Sequence, residues 1–179
     1  MRKIRINKPD IIKEIKKGRI FIYPTDTIYG LGCDATNNKS VDKIKQIKKR
    51  DLDKPLSIIA PSIRWIKQPC VISEDFSLDK YLPGPYTIIL KKKKKNFLRN
   101  ISKNETIGIR IPDNYFTKII QQSKLPFVTT SVNLSGEKPI QEISQITEEI
   151  KKQIDIIVDI GKLNGRSSTL IIKGKKIKR

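Results

Sequence analysis

Short runs of β-branched and aromatic residues, set between segments of helical period, constrain this chain more than any other feature. "RIFIY" (19–23), "PLSIIA" (55–60), "PGPYTIIL" (83–90), "TIGIRIP" (106–112), "PFVTTSVN" (126–133), "DIIVDIG" (155–161) and "STLIIKG" (168–174) each carry the composition of a strand. Between them, apolar residues recur every three or four positions, the period of a helix with one buried side. "PDIIKEIKKG" (9–18) opens on Asp10 as a cap, buries Ile11, Ile12 and Ile15, and stops at Gly18. "NKSVDKIKQIKKR" (38–50) aligns Val41, Ile44 and Ile47, and "SIRWIK" (62–67), "DNYFTKIIQQ" (113–122) and "SQITEEIKKQI" (144–154) follow as further helices. The lysine run Lys91–Lys95 reads as an exposed hairpin end, with RNA contact as the alternative, and a last hairpin turns at Gly174. Early alternation of strands and helices, with hairpins in the middle and at the end, predicts an α/β fold: a twisted mixed parallel/antiparallel sheet with flanking helices.

With 179 residues, the chain fits one domain, 1–179, with a real hydrophobic core. No apolar run approaches the roughly 18 residues of a membrane span. "MRKIRINKPD" is basic but lacks the apolar centre of a signal peptide, so a cytoplasmic location is expected. Cys33 and Cys70 have no CxxC spacing, which argues against zinc and against a cytosolic disulfide. Cys33 is expected to be a small buried thiol, because the chain has no histidine to activate it. The net charge of +20 invites a nucleic-acid reading. Yet 29 lysines against 9 arginines, with 34 isoleucines and 2 alanines, look like codon drift rather than selection for base or phosphate contacts. Weak tRNA contact at low salt is the corresponding expectation.

The polar residues are more informative. "FIYPTDTIYGLG" (21–32) leaves a strand through hydroxyls and one acid and exits through two glycines, a loop suited to close approach of a small polar ligand. In "TIGIRIP", Ile107, Ile109 and Ile111 share one face, while Thr106, Gly108 and Arg110 share the other. That second face can hold a ligand or simply meet water. Thr129, Ser131 and Asn133 alternate at the carboxyl end of their strand, where open α/β sheets bind ligands; ordinary loop capping before Gly136 uses the same residue types. Lys48 and Arg50 follow Ile44 and Ile47 by four and three residues and so border the buried side of their helix. They suit an anion, although a basic last turn also complements the helix dipole.

Taken in order, "PTDTIYGLG", "KKRDLDKPL", "LPGPYTIIL", "IGIRIP", "TTSVNLSG" and "SST" resemble the YrdC-like family, the threonylcarbamoyl-adenylate synthases, over residues 10–179. The likeness is to the single-domain form. It implies synthesis of threonylcarbamoyl-AMP from L-threonine, bicarbonate and ATP, with Mg2+ carried on the ATP phosphates and no protein metal site. The product would feed t6A modification of tRNA through a transferring complex. By the resemblance, Lys48, Arg50, Ser131 and Asn133 bind the phosphates and line the reaction centre. Lys54, Thr106 and Arg179 add ATP contacts. Thr27, Tyr29, Arg110, Thr129 and Ser168 form the threonine pocket, with Arg110 on the carboxylate. The chemistry is expected to start with capture of CO2 or bicarbonate by the threonine amine. The carbamate oxygen then attacks the α-phosphorus of ATP, which demands orientation and charge neutralisation rather than a protein nucleophile.

Three positions depart from the pattern: Asp26 stands where many relatives have Glu, Ile59 where some have His, and Ile140 where Ser often follows the proline. One alternative is a basic RNA-binding module without catalysis, but that would not need the ordered hydroxyls and glycines. Another is carbamoyl transfer as in hydrogenase-maturation proteins, which are larger and carry cysteine-rich fingers. Loss of a charge-assisted phosphate contact costs about 1.5–3 kcal/mol, so Arg50→Ala is expected to slow turnover roughly 10- to 100-fold. Near-normal pyrophosphate release by that variant would remove Arg50 from the site.

Overall fold

The computed structural model describes residues 8–49, 51 and 53–178. Five helices flank the sheet among these residues: α1 (Lys8–Lys16), α2 (Asn38–Ile47), α3 (Ile63–Ile66), α4 (Tyr115–Gln122) and α5 (Glu148–Lys151). Ten strands make it up: β1 (Phe21–Tyr23), β2 (Gly30–Gly32), β3 (Ser57–Ile59), β4 (Cys70–Val71), β5 (Tyr86–Lys92), β6 (Thr106–Arg110), β7 (Phe127–Ser131), β8 (Ile156–Ile157), β9 (Thr169–Ile172) and β10 (Lys175–Ile177). Their order is β10-β9-β5-β6-β3-β7-β2-β1-β8, with β4 paired to β5 beside this path. β1 with β8, β3 with β6 and β5 with β9 run parallel; the other pairs are antiparallel. The mixed sheet with flanking helices is therefore present.

Strand alternation splits the core in two. Ile20 and Ile22 enter a cluster with Val41, Ile44 and Ile47 of α2, whereas Phe21 and Tyr23 enter a second cluster with Ile11 and Ile15 of α1 and Phe116, Ile119 and Ile120 of α4. In the second cluster Tyr23 stacks on Phe116 (5.0 Å, 22°) and meets Phe127 edge-on (5.5 Å). Asn37, Ser62, Asn114 and Thr147 cap their helices by accepting a backbone N–H.

Several expected elements differ. The glycines after "PTDTIY" form strand β2 rather than the exit of a turn. Tyr23 lies across both: a Cβ at Gly30 would stand 2.7 Å from its Cζ, and one at Gly32 2.9 Å from its Cε1. Lack of side chains is here what lets β2 sit beneath the ring. The expected helix over 144–154 is a 3-10 turn at Ile143–Gln145 and the short α5, because Ile146 and Thr147 are extended and Thr147 caps anew. The strand expected over 155–161 keeps only β8. β4 was not anticipated; two residues are too few for a periodic signal. The lysine run is not uniformly exposed. Lys92 is 4% exposed, and its Nζ donates to the carbonyls of Ser102 (2.9 Å), Lys95 (3.0 Å) and Phe97 (3.3 Å). Strand alternation turns this one lysine inward, and the following loop wraps its ammonium. Burial, with Arg99 nearby, lowers its pKa.

A Cβ at Gly32 would also collide with the backbone oxygen of Val128, which cannot rotate away. Gly32→Ala is expected to destabilise the fold by about 1–3 kcal/mol, read as a lower urea midpoint at unchanged slope.

Candidate active site

The face that carries the aromatic cluster also carries the polar residues. Register places Gly108, Ser57 and Thr129 side by side across β6, β3 and β7, with Arg110, Ile59 and Phe127 in the next row. β2 continues the first pattern, with Gly30 beside Ser131. One sheet face thus changes from aromatic under α1 and α4 to hydroxyl-rich beyond them.

Arg110 is 6% exposed. Its Nη2 donates to Asp26 Oδ1 (2.5 Å) and approaches Thr27 Oγ1 (3.5 Å), while Asp26 Oδ2 accepts the Asp113 N–H (3.0 Å). Arg110 Nε is buried and has no hydrogen-bond partner among the described residues. Burial pulls the guanidinium pKa down and Asp26 opposes it; arginine stays charged in either case. The solvated-face alternative for this strand is thereby excluded.

The loop over 24–29 is tied from several sides. Thr25 Oγ1 donates to the Ile28 carbonyl (2.7 Å) and accepts the Thr27 N–H (3.1 Å), closing a hydroxyl turn. Asn114 Nδ2 donates to Pro24 O (2.7 Å). Tyr29 donates to the Gly161 carbonyl (2.7 Å) and accepts the Ile160 N–H (3.0 Å), so its hydroxyl anchors the segment after β8, and the residue itself, fully buried, belongs to the lining of the site. From there the chain crosses back over the loop. Gly165 packs so tightly on the Thr27 backbone that a Cβ would overlap it. Gln141 Nε2 holds the Gly165 carbonyl (3.3 Å), and Ser168 pairs with Thr87 (Oγ–Oγ1 2.7 Å).

Thr27, Tyr29, Arg110, Thr129, Ser131 and Ser168 all line one open cavity of about 150 Å³. Lys48 and Asn133 adjoin it through Ser131. Lys48 is 1% exposed, and its Nζ donates to Ser131 O (2.7 Å), Asn133 Oδ1 (2.8 Å) and Asn133 O (2.9 Å); Ser131 Oγ donates to Asn133 Oδ1 (2.6 Å). α2 ends at Ile47, so Lys48 is its C-cap and reaches inward. Lys54 is exposed beside Pro55, which lines the cavity. Thr106 lies outside the lining, at the far end of β6 from Arg110, roughly 13 Å away at 3.3 Å per residue. Arg50 and Arg179 fall outside the described residues. Thr25, Ser57, Thr87 and Ser167 also line the cavity and were not singled out from sequence. Ser57 and Thr87 interrupt apolar strands at alternating positions, the same signal that marked Arg110. Cys33 is fully buried and burial raises its thiol pKa, as expected of a packing residue; Cys70 is pushed up to about 11 for the same reason.

The Sua5/YciO/YrdC family model, described as telomere recombination, matches residues 13–178. A Methanocaldococcus jannaschii protein provisionally named threonylcarbamoyl-AMP synthase is 40% identical over 163 residues, 90% of this chain and 77% of that one. A threonylcarbamoyl-AMP synthase of Vibrio vulnificus strain YJ016 is 28% identical over 159 residues, 85% of each chain. The crystal structure of P. abyssi Sua5 complexed with L-threonine superposes with a TM-score of 0.84 at 29% identity, covering 94% of this chain and 52% of that one. The chain thus spans about half the length of that Sua5.

Removing one partner of a buried ion pair costs about 3–5 kcal/mol. Asp26→Ala is expected to lose stability on that order in urea melts, and Asp26→Glu, which keeps the charge, to lose far less.

Proposed function

Because the chain belongs to the Sua5/YciO/YrdC family, we propose that the cavity beside Arg110 is the amino-acid end of its active site and that Lys48, Ser131 and Asn133 mark the nucleotide end. The activity is threonylcarbamoyl-AMP synthesis, a nucleotidyl transfer that uses L-threonine and ATP. One observation carries the assignment of the cavity: a buried guanidinium, paired on one edge and unpartnered at Nε, stands in a wall of neutral hydroxyls. Such a wall suits a small amino acid whose carboxylate meets Arg110 and whose amine and hydroxyl meet threonines and serines.

The same wall bears on reactivity. Asp26, behind the lining, is engaged by Arg110 and the Asp113 N–H, and the lining residues themselves include the Arg110 cation and no carboxylate to stabilise an ammonium. The bound amine is therefore favoured in its neutral, nucleophilic form. Nitrogen attacks the carbon of CO2 or bicarbonate and a C–N bond forms; with CO2 the nitrogen gives up one proton, and with bicarbonate a C–O bond breaks and one water leaves, carrying that proton. A carbamate oxygen then attacks the α-phosphorus, and pyrophosphate departs with the bonding electrons. Lys48 holds the 131–133 loop in shape through three acceptors and brings its charge beneath the phosphates. Arg50, Lys54, Thr106 and Arg179 complete the nucleotide contacts in this reading. In this reading Mg2+ arrives on the nucleotide's own phosphates. Transfer of the threonylcarbamoyl group from the adenylate to tRNA, with AMP as leaving group, belongs in this reading to a partner complex. No helix among the described residues is long and apolar enough to cross a membrane.

Pyrophosphate release is expected to require L-threonine and bicarbonate together, with labelled carbon from bicarbonate appearing in the adenylate. Arg110→Met removes a charge-assisted contact, so the KM for threonine should rise about 10- to 150-fold, with the KM for ATP little changed. Release that ignores threonine would overturn the reading.

A further inference from the structure

Thr87 is an unusual choice for its place in β5. It is 1% exposed, as deeply buried as its apolar neighbour Ile88. Valine has nearly the same shape, favours strands equally and would sit there without the cost of desolvating a hydroxyl. A buried hydroxyl needs a partner, and Thr87 has one: its Oγ1 stands 2.7 Å from Ser168 Oγ. Ser168 is itself 4% exposed, and both residues line the cavity beside Arg110.

Strand register shows what this pair borders. Ile88 faces Ile109 across β5 and β6, so Thr87, one step back, stands opposite Arg110. On its other side β5 runs parallel to β9, with Tyr86 beside Thr169, and the Thr169 N–H donates to Pro85 O (3.0 Å). Thr87 is therefore held between two strands, and as a β-branched residue it is stiff at χ1. Ser168 has neither advantage. It ends 158–168, a segment without helix or strand, and a serine side chain has several staggered positions open to it.

Resting on the reading of this cavity as the amino-acid site, we propose that Thr87 is a positioning residue for L-threonine. Its hydroxyl fixes the rotamer of Ser168 and so holds the Ser168 hydroxyl in the cavity wall before the substrate arrives. A group already ordered by the protein costs no further rotamer entropy on binding. Without the Thr87 hydroxyl, the substrate must order Ser168 itself, and its affinity falls accordingly. The Arg110–Asp26 pair does not use Thr87. Lys48, Ser131 and Asn133 sit at the ends of α2 and β7, away from the β5–β9 pair, so the effect is confined to threonine and spares ATP.

Thr87→Val keeps the shape and removes the hydroxyl. Its KM for threonine should rise about 2- to 12-fold, the range for one neutral hydrogen bond, while kcat and the KM for ATP stay within about twofold. Damage to packing alone would lower the active fraction, and with it kcat, without this split between the two substrates. Thr87→Ser, which restores the hydroxyl, should recover most of the loss. Ser168→Ala removes the group through which Thr87 acts, so adding Thr87→Val to it should raise the KM for threonine no further. Three results would overturn the proposal: an unchanged KM for threonine in Thr87→Val, a KM in Thr87→Ser as high as in Thr87→Val, or effects of Thr87→Val and Ser168→Ala that multiply. The wild-type enzyme tests the underlying reading separately. Pyrophosphate release that ignores threonine there removes the amino-acid site, whereas threonine-dependent release with an unaffected Thr87→Val removes only the role of Thr87.

Discussion

The Arg110–Asp26 pair is the interaction on which the site's architecture depends. A guanidinium cannot shed its charge, so placing it at 6% exposure demands a fixed anion close by. Asp26 meets that demand and in turn takes the Asp113 N–H. One carboxylate therefore joins the loop after β1 to the end of β6 and to the start of α4. Asn114, one residue on, both caps α4 and holds the Pro24 carbonyl. The loop has little freedom left, and the cavity beside it is built before any ligand arrives. That is the preorganisation on which orientation-driven chemistry relies.

Lysine, the commonest cation here, does more than solvate the surface. Lys48 and Lys92 are both buried, and each directs three donors at backbone or amide oxygens of an irregular segment. An ammonium on a long stem can satisfy several carbonyls that no strand or helix claims, at the cost of desolvation. At Lys48 the segment so organised carries Ser131 and Asn133; at Lys92 it is the loop that leads to Phe97. The basic composition thus serves two irregular loops from within.

Much of the site was legible because period two holds within strands. Thr129 and Ser131, and Gly108 and Arg110, fall on one face by counting alone, and the fold puts them there. The ordered motifs pointed to the same family that the comparisons show. What was not legible arose from contacts between distant segments. β2 depends on the Tyr23 ring covering Gly30 and Gly32. The break between the 3-10 turn and α5 reflects local caps that the apolar period masks. Thr87 and Ser168, 81 residues apart, become one hydrogen-bonded pair only when β5 and β9 lie side by side. Asp26 gave no sign of being Arg110's partner, since 84 residues separate them.

Sequence alone determined the class of sheet, the two-sided strands, the cation-and-hydroxyl residue set and the kinship of the chain. These follow from short-range rules: side-chain period, turn chemistry and motif order act over a few residues. Tertiary structure decided which hydroxyls share a cavity, which lysines are buried, and which carboxylate pairs with Arg110. Those depend on strand order and on desolvation, and both come into being only when segments far apart in the chain exclude water from the same place.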